Sequence, residues 1–365
     1  MGNVGSISRT AILEESLMRY TTFGRRTGLR VSECALGTGS FGTSDPSAGR
    51  EVSGEIFDAF VSAGGTTFDS SDIYQAGQAE SVLGELLGPD RDDFVVITKY
   101  SGTTQKDHRP GTTGNNRKTM IRSLEASLTR LKTDYVDVFM PHFPDGVTPM
   151  EEILTGLDHL IQSGKVLHCG FSNFPAWRIA GAAVQADLRG FASPIGIETE
   201  YSLAERSADR ELLPMAEAHG LGVLVYSPLA GGLLTGKYRR GKTGRLSRDS
   251  NAAAETAHQK AVVDEVLAIA CETDTTAVQV SLAWLRHRAA LTPTALIPVV
   301  GPRSSDHLRA YLKAFEHDYD AEHYQRLDRV STIELGAPYE DVAAALRNGY
   351  DGDRDLLGSP PLPLV

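Results

Sequence analysis

The sequence predicts a (β/α)8 TIM barrel, and three observations carry that prediction. Eight short β-type runs alternate with amphipathic stretches along nearly the whole chain, the pattern of βα units around a parallel sheet. The repeat is roughly thirty residues, and the 365-residue chain is large enough for a barrel of about 250 residues plus insertions. Polar residues suited to catalysis follow several of the apolar runs, where a barrel of this kind builds its active face.

Residues 1–17 read as an N-terminal extension, expected to be disordered, and Met18 begins the patterned sequence. From there RYTTFG, RRTG and LRVSE predict a β-hairpin able to plug the bottom of the barrel. The eight strand runs are CALG at Cys34, TTFD at Thr66, VVIT at Val95, VDVFM at Val136, HCGF at His168, PIGIE at Pro194, GVLVY at Gly222 and ALIPV at Ala295. Between them the apolar spacing changes to three and four. Ile121, Leu124, Leu128 and Leu131 share one helical face, as do Ile153, Leu157, Leu160 and Ile161. Gly64, Gly65 and Gly164 follow such helices, where a left-handed residue ends them.

After the seventh barrel strand, AGGLLTGKYRRGKTGRLSRDSN interrupts the rhythm, and helical periodicity resumes at Val262. A long Gly- and Arg-rich loop on the catalytic face is a candidate cofactor clasp; its plainer alternative is a mobile surface insertion. The barrel is expected to span residues 18–338, leaving 339–365 as a tail with a helix in DVAAALRNG and an extended or disordered Pro-rich end.

Composition narrows the function. With 36 basic and 47 acidic residues the net charge is -11, which argues against broad nucleic-acid binding. Cys34, Cys169 and Cys271 form no CxxC pair, so neither a disulfide framework nor a metal site is expected, and a reducing cytoplasm fits. No apolar stretch approaches the ~20 residues that span a bilayer, and the first residues lack the apolar core of a signal peptide.

The chemistry concentrates between Phe68 and His142. Asp69 closes TTFD, Tyr74 lies five residues on, Lys99 closes FVVIT, and His142 follows VDVFM. Taken singly, Asp69 could cap a helix, Tyr74 could be an exposed aromatic and His142 a satisfied core histidine. Barrel closure would bring all four to one face. There a nearby ammonium would lower the phenol's pKa from its reference of about 10. Asp69 would hold Lys99, and His142 would hydrogen-bond a carbonyl oxygen or the phenol.

Two other motifs fail on context. GTGSFG, Gly37 to Gly42, has the GxGxxG form, but TSDPSAGRE separates it from the next helical spacing near Val52, whereas a dinucleotide fingerprint opens directly into a helix. YRRGK, Tyr238 to Lys242, has the YxxxK form of short-chain dehydrogenases but lies in a Gly-rich loop.

Several segments resemble the aldo-keto reductase superfamily, in the branch of bacterial general-stress reductases and potassium-channel β-subunits. They are FDSSDIYQAGQAESVLGELL, VITKY, RLKTDYVDVFMPHFPD, GKVLHCGFSNF, EYSLAER and VYSPLAGGLLTGKY, and the resemblance runs from about Met18 to Phe315. It implies NAD(P)H-dependent carbonyl reduction with Tyr74 as general acid, Lys99 and Asp69 tuning it, and His142 orienting the carbonyl. It also implies that Ser172 and Asn173 hold the nicotinamide carboxamide and that Tyr226 stacks on the ring. Ser227, Leu229, Gly231 and Lys237 would line the pyrophosphate, with Arg245 on the adenosine phosphate and Gly37 and Thr38 at the first strand's end. Glu198 stands where the family usually has Gln; an ionised carboxylate there accepts from the amide but cannot donate. Gly301 and Arg303 are kept near the adenine, while His307, Ala310 and Tyr311 replace the usual residues. The fork of Arg303 suits a 2′-phosphate, favouring NADPH, with NADH as the other choice.

Phe41, Tyr100, Phe143 and Trp177 follow strand ends and, with Tyr201, are candidates to line the substrate pocket together with Tyr74 and His142; the alternative for these aromatics is packing at the barrel top. Two further functional readings stand beside carbonyl reduction. One is an NAD-dependent sugar or alcohol dehydrogenase using the same four residues, and the other is a nicotinamide-binding regulatory subunit.

Overall fold

The computed structural model describes residues 18–43, 47–104, 109, 111–248 and 255–345. Two antiparallel strands, β1 (Tyr20–Thr22) and β2 (Arg30–Ser32), form the hairpin. Eight parallel strands then close a barrel: β3 (Ala35–Gly37), β4 (Thr67–Asp69), β5 (Val95–Tyr100), β6 (Val136–Pro141), β7 (Val166–Ser172), β8 (Gly196–Glu200), β9 (Gly222–Tyr226) and β10 (Leu296–Val300). Their order round the barrel is the order of the chain, with β10 closing on β3. All eight predicted runs are therefore barrel strands, and the predicted hairpin is in place.

Helices pack outside the sheet with their apolar stripes inward. Leu124, Leu128 and Leu131 of the helix Arg117–Leu131 are buried, as are Ile153, Leu157 and Leu160 of Met150–Gln162. Gly64 and Gly164 have φ of 90° and 76°, as left-handed helix stops require. The seventh unit departs from one strand and one helix, because both Ala257–Glu272 and Ala277–Leu291 separate β9 from β10. The first of these begins five residues before the apolar periodicity does. Thr256 and Gln259 form a capping box that starts it, and its polar first turn hides the start from a hydrophobicity reading.

The barrel interior changes character along its axis. At the N-terminal end Phe23, fully buried, fills the space beneath Ile195, Leu224 and Ile297. Glycine is required opposite it, since a Cβ on Gly196 would lie 2.4 Å from the ring and one on Gly222 2.5 Å. The hairpin is thus a plug seated on two missing side chains. Above an apolar middle of Ile97, Val138, Met140 and Leu224, the interior becomes polar.

Neither of the two accidental motifs has dinucleotide-fold geometry. Gly37–Gly42 does not open into a helix, and among the described residues the next helix starts at Arg50. Tyr238–Arg240 is a single helical turn. The tail contributes the helix Tyr339–Ala345, while the predicted extension 1–17 and the Pro-rich end lie outside the described residues.

Candidate active site

Strand alternation and parallel register put three side chains into the polar end of the barrel. Asp69 aligns with Ile97 on β5, and Lys99, two residues further on, aligns with Met140 on β6, so both point inward. Glu198 on β8 aligns with Ser172 on β7 and Leu224 on β9, and it points into the same space. The Lys99 ammonium lies 2.5 Å from Asp69 Oδ1 and 2.9 Å from the carbonyl oxygen of Ser70. It also lies 3.1 Å from Glu198 Oε2. That last contact is an ion pair without hydrogen-bond geometry, and Oε2 has no other hydrogen-bond partner among the described residues.

Tyr74 reaches this ammonium from the loop after β4. Its ring centroid is 5.3 Å from Lys99 Nζ, and its ring meets that of His142 edge-on at 5.9 Å. Gln75 and Ala76, immediately after it, have φ of 48° and 58°. Neither is glycine, so the tight turn beside Tyr74 is held against a local steric cost. Gln75 secures it by donating from Nε2 to the carbonyl of Gly39 at 2.8 Å.

The electrostatics differ from a simple ammonium–phenol pair. Burial raises the Tyr74 phenol, and the pull of Lys99 in the other direction is smaller, so the phenol sits above its ordinary value. Burial is the largest single influence on Lys99 and lowers it, but Asp69, Glu198 and Tyr74 together outweigh it, leaving the ammonium above the ordinary lysine range. Two carboxylates thus absorb much of the charge that would otherwise act on the phenol. Burial, and secondarily the Lys99 charge, lower the His142 imidazole to about 3. It is neutral throughout the physiological range.

Ser71 makes a contact that the spacing along the chain does not foretell. Its hydroxyl lies 3.1 Å from His142 Nδ1. If that hydroxyl donates, the ring proton resides on Nε2. The signal is present in FDSSDIY, where Ser71 follows the end of β4 by two residues, but only closure of the barrel brings it to a ring 71 residues away.

Asn173 (φ 59°) links the two halves of this face. It donates to His142 O and Ser172 Oγ, each at 3.0 Å, and accepts from the Tyr226 hydroxyl at 2.8 Å. Thr38 is turned inward, bonding the carbonyl of Asp69 through both its amide, at 2.8 Å, and its hydroxyl, at 3.0 Å. Gly37 lies against Val299.

In the loop after β9, Ser227, Ala230, Gly231 and Gly232 all have positive φ, folding Leu229–Thr235 tightly. Lys237 lies against Gly232 and Gly244, where an added Cβ would come within 2.6 Å and 2.5 Å of its ammonium. Arg245 opens a short helix, Arg245–Arg248, but its side chain lies outside the described residues. Gly301, Arg303 and His307 are all exposed, the first two following β10 and His307 lying in the first turn of the helix Ser305–Leu312.

The aromatic expectations need correction. Tyr100 follows Lys99, so alternation turns it outward; it stacks on Phe139 at 4.9 Å and donates to the carbonyl of Asn115. Phe41 is fully enclosed in the layer between sheet and helices. Tyr201 is buried as well, stacked on Trp284 and donating to Asp209, while Trp177 is 72 % exposed on an outer helix. Phe143 is different, being partly exposed beside His142 at 5.4 Å.

Comparison with known proteins agrees with this geometry. A family model described as "Aldo/keto reductase family" matches residues 33–332. An uncharacterized oxidoreductase of Bacillus subtilis, YrpG, is 35% identical over 86% of this chain and 96% of its own length. A candidate voltage-gated potassium channel subunit beta of Schizosaccharomyces pombe is 35% identical over 74% of this chain and 82% of its own. The aryl-alcohol dehydrogenase [NADP(+)] of Phanerodontia chrysosporium is 29% identical over 88% of each chain. With a matching model over most of its length and a closed barrel carrying Asp69, Tyr74, Lys99 and His142 at one mouth, the chain is an oxidoreductase acting on carbonyl groups and belongs to the aldo/keto reductase family.

Proposed function

We propose that this protein is an NADPH-dependent reductase of aldehyde, ketone or sugar-like carbonyls in which Tyr74 supplies the proton. The observation that carries the reading is the fully buried Lys99 ammonium held between Asp69 and the Tyr74 ring, with neutral His142 on the ring's other flank. A nicotinamide cofactor, when bound, supplies the hydride.

The chain's own residues fit such a group. Glu198 Oε2 is buried without a hydrogen bond, the turn through Ser227 and Gly231 offers a close backbone cradle, and open space surrounds the position a Cβ would take on Gly301. Ser172, Asn173 and Glu198 would meet the carboxamide and Tyr226 the ring. Gly37, Thr38, Ser227, Leu229, Gly231 and Lys237 would surround the pyrophosphate, with Arg245, Gly301, Arg303 and His307 at the adenosine end. Arg303 supports NADPH by its chemistry, and so does a relative whose name specifies NADP(+).

The division of labour follows from the protonation states. Because the phenol is held above its ordinary value, Tyr74 carries its proton at neutral pH and is poised as an acid. It hydrogen-bonds the substrate oxygen and releases the proton to it as negative charge develops there. Lys99 stabilises the phenolate left behind, and Asp69 fixes the ammonium. His142, its Nδ1 engaged by Ser71, presents Nε2–H to the same oxygen and fixes the carbonyl's orientation. Phe143 is the aromatic best placed to border the substrate.

The test is Tyr74→Phe. Removing the acid should lower kcat for carbonyl reduction by about 10²- to 10⁴-fold, while NADPH still binds by fluorescence titration. Ordinary turnover in a folded Tyr74→Phe protein would end the proposed acid role.

A further inference from the structure

Glu198 brings a second carboxylate to an ammonium that already has one. Lys99 Nζ is 2.5 Å from Asp69 and 3.1 Å from Glu198, and all three side chains are shielded from water. Asp69 and Glu198 are thus held against one ammonium from two sides, close enough for each carboxyl to act on the other. Two ionised carboxylates cannot share a hydrogen bond, because neither has a proton to donate. Both ionised beside one ammonium would also leave a net negative charge in a desolvated space, which burial strongly disfavours.

Among the described residues, few charged and titratable groups face Glu198. Asp69 comes from β4, Tyr74 from the loop beyond it and Lys99 from β5. Its register partners on the flanking strands β7 and β9 are the uncharged Ser172 and Leu224.

We propose that Asp69 and Glu198 hold a single proton between them beside Lys99, and that this proton sets how much of the ammonium's charge reaches Tyr74. The inference rests on the reading of Tyr74 as the proton donor and deepens it. Burial raises both carboxyls, but Asp69 is nearer the ammonium, which favours its ionised form, so it takes the greater share of the negative charge and Glu198 the greater share of the proton. Burial, and then repulsion from Asp69, raise the Glu198 carboxyl to about 8. Below that value the three buried groups sum to zero charge. Above it the pair carries two negative charges, Lys99 is more fully compensated, and the Tyr74 phenolate is harder to form. Carbonyl reduction accordingly weakens as pH rises through that value. Glu198 is a positioning residue here, acting on Tyr74 through Lys99.

Two measurements need no turnover. Infrared difference spectra of protein labelled with ¹³C-glutamate should show a protonated glutamate carboxyl at neutral pH that is lost as pH rises through about 8 and is missing in Glu198→Gln. Tyrosinate absorbance, assigned to Tyr74 by subtracting the Tyr74→Phe protein, should appear at lower pH in Glu198→Gln, by about one unit or more. A third measurement follows catalysis, where the alkaline decline in carbonyl reduction should move to higher pH in the variant.

Absence of the protonated glutamate signal, or a Tyr74 titration unmoved by Glu198→Gln, overturns the proposal. The infrared signal can be read in wild-type protein alone, so it decides the matter even if the variant fails to fold. Failure of the reductase reading looks different. Carbonyl reduction would then be absent or insensitive to Tyr74→Phe, whatever the carboxyl signal.

Discussion

The two ends of the barrel are built from the same eight strands and behave as opposites. At the N-terminal end Phe23 of the hairpin closes the interior over Gly196 and Gly222, with apolar contacts on every side. At the C-terminal end the same strands deliver Asp69, Lys99 and Glu198, and the surrounding loops add Tyr74, Ser71 and His142. One end gains stability by excluding water from carbon. The other holds charges in a place where each must be compensated by another. Stability and chemistry are therefore separable along the barrel axis.

Phe23→Ala is the strongest test of that separation on the stability side. Removing a fully enclosed ring should cost about 3–5 kcal/mol of unfolding free energy, read as a fall in the denaturant midpoint. Because Phe23 lies at the opposite end from Tyr74, kcat of the folded fraction should not change. A kcat loss on the scale expected of Tyr74→Phe would erase the distinction.

Arg303→Ala sharpens the picture within the active end, separating the buried cluster from the exposed face proposed to hold the cofactor. Loss of charge-assisted contacts to a 2′-phosphate should weaken NADPH by about 1.5–3 kcal/mol, roughly ten- to hundred-fold in Kd, and leave NADH almost unaffected. Equal losses for both cofactors would remove the 2′-phosphate from this residue.

Asp145 offers a smaller effect in the loop that follows His142. Burial pushes its carboxyl up, but hydrogen bonds from Thr148, Asn115 and Val147 outweigh this and hold it at about 2. Its folded-state pKa is therefore depressed below the reference of about 3.9 for an unfolded chain. The stability it adds is present above that reference and disappears as pH falls through about 2. For a partly exposed group the effect is screened, so Asp145→Asn should cost only about 1 kcal/mol at neutral pH. The deficit relative to wild type should vanish in acid; a deficit independent of pH would mean that the carboxylate's charge is not what holds the loop.

Legibility in the sequence followed the range of the interactions. The strand runs and helix faces were readable because period-two and period-3.6 patterns are local, and the eight-unit count then predicted that Asp69, Lys99 and His142 share one mouth. Tyr100 departs from expectation because it follows the last inward residue of β5, and alternation sends it outward onto Phe139. The start of the Ala257–Glu272 helix was hidden by a capping box whose partners are polar. The contact between Ser71 and His142 joins residues from two different units, so no spacing along the chain announces it.

By itself the sequence determined the barrel, its hairpin, and the strand ends from which the four central residues arise, because backbone periodicity decides which face a residue occupies. Only the tertiary structure decided the electrostatics. Burial of the Tyr74 phenol itself, with Asp69 and Glu198 drawn up to Lys99 from β4 and β8, turns an expected lowering of that phenol into a rise. A pKa depends on distance and on exclusion of water in three dimensions, and neither is written in the order of residues along a chain.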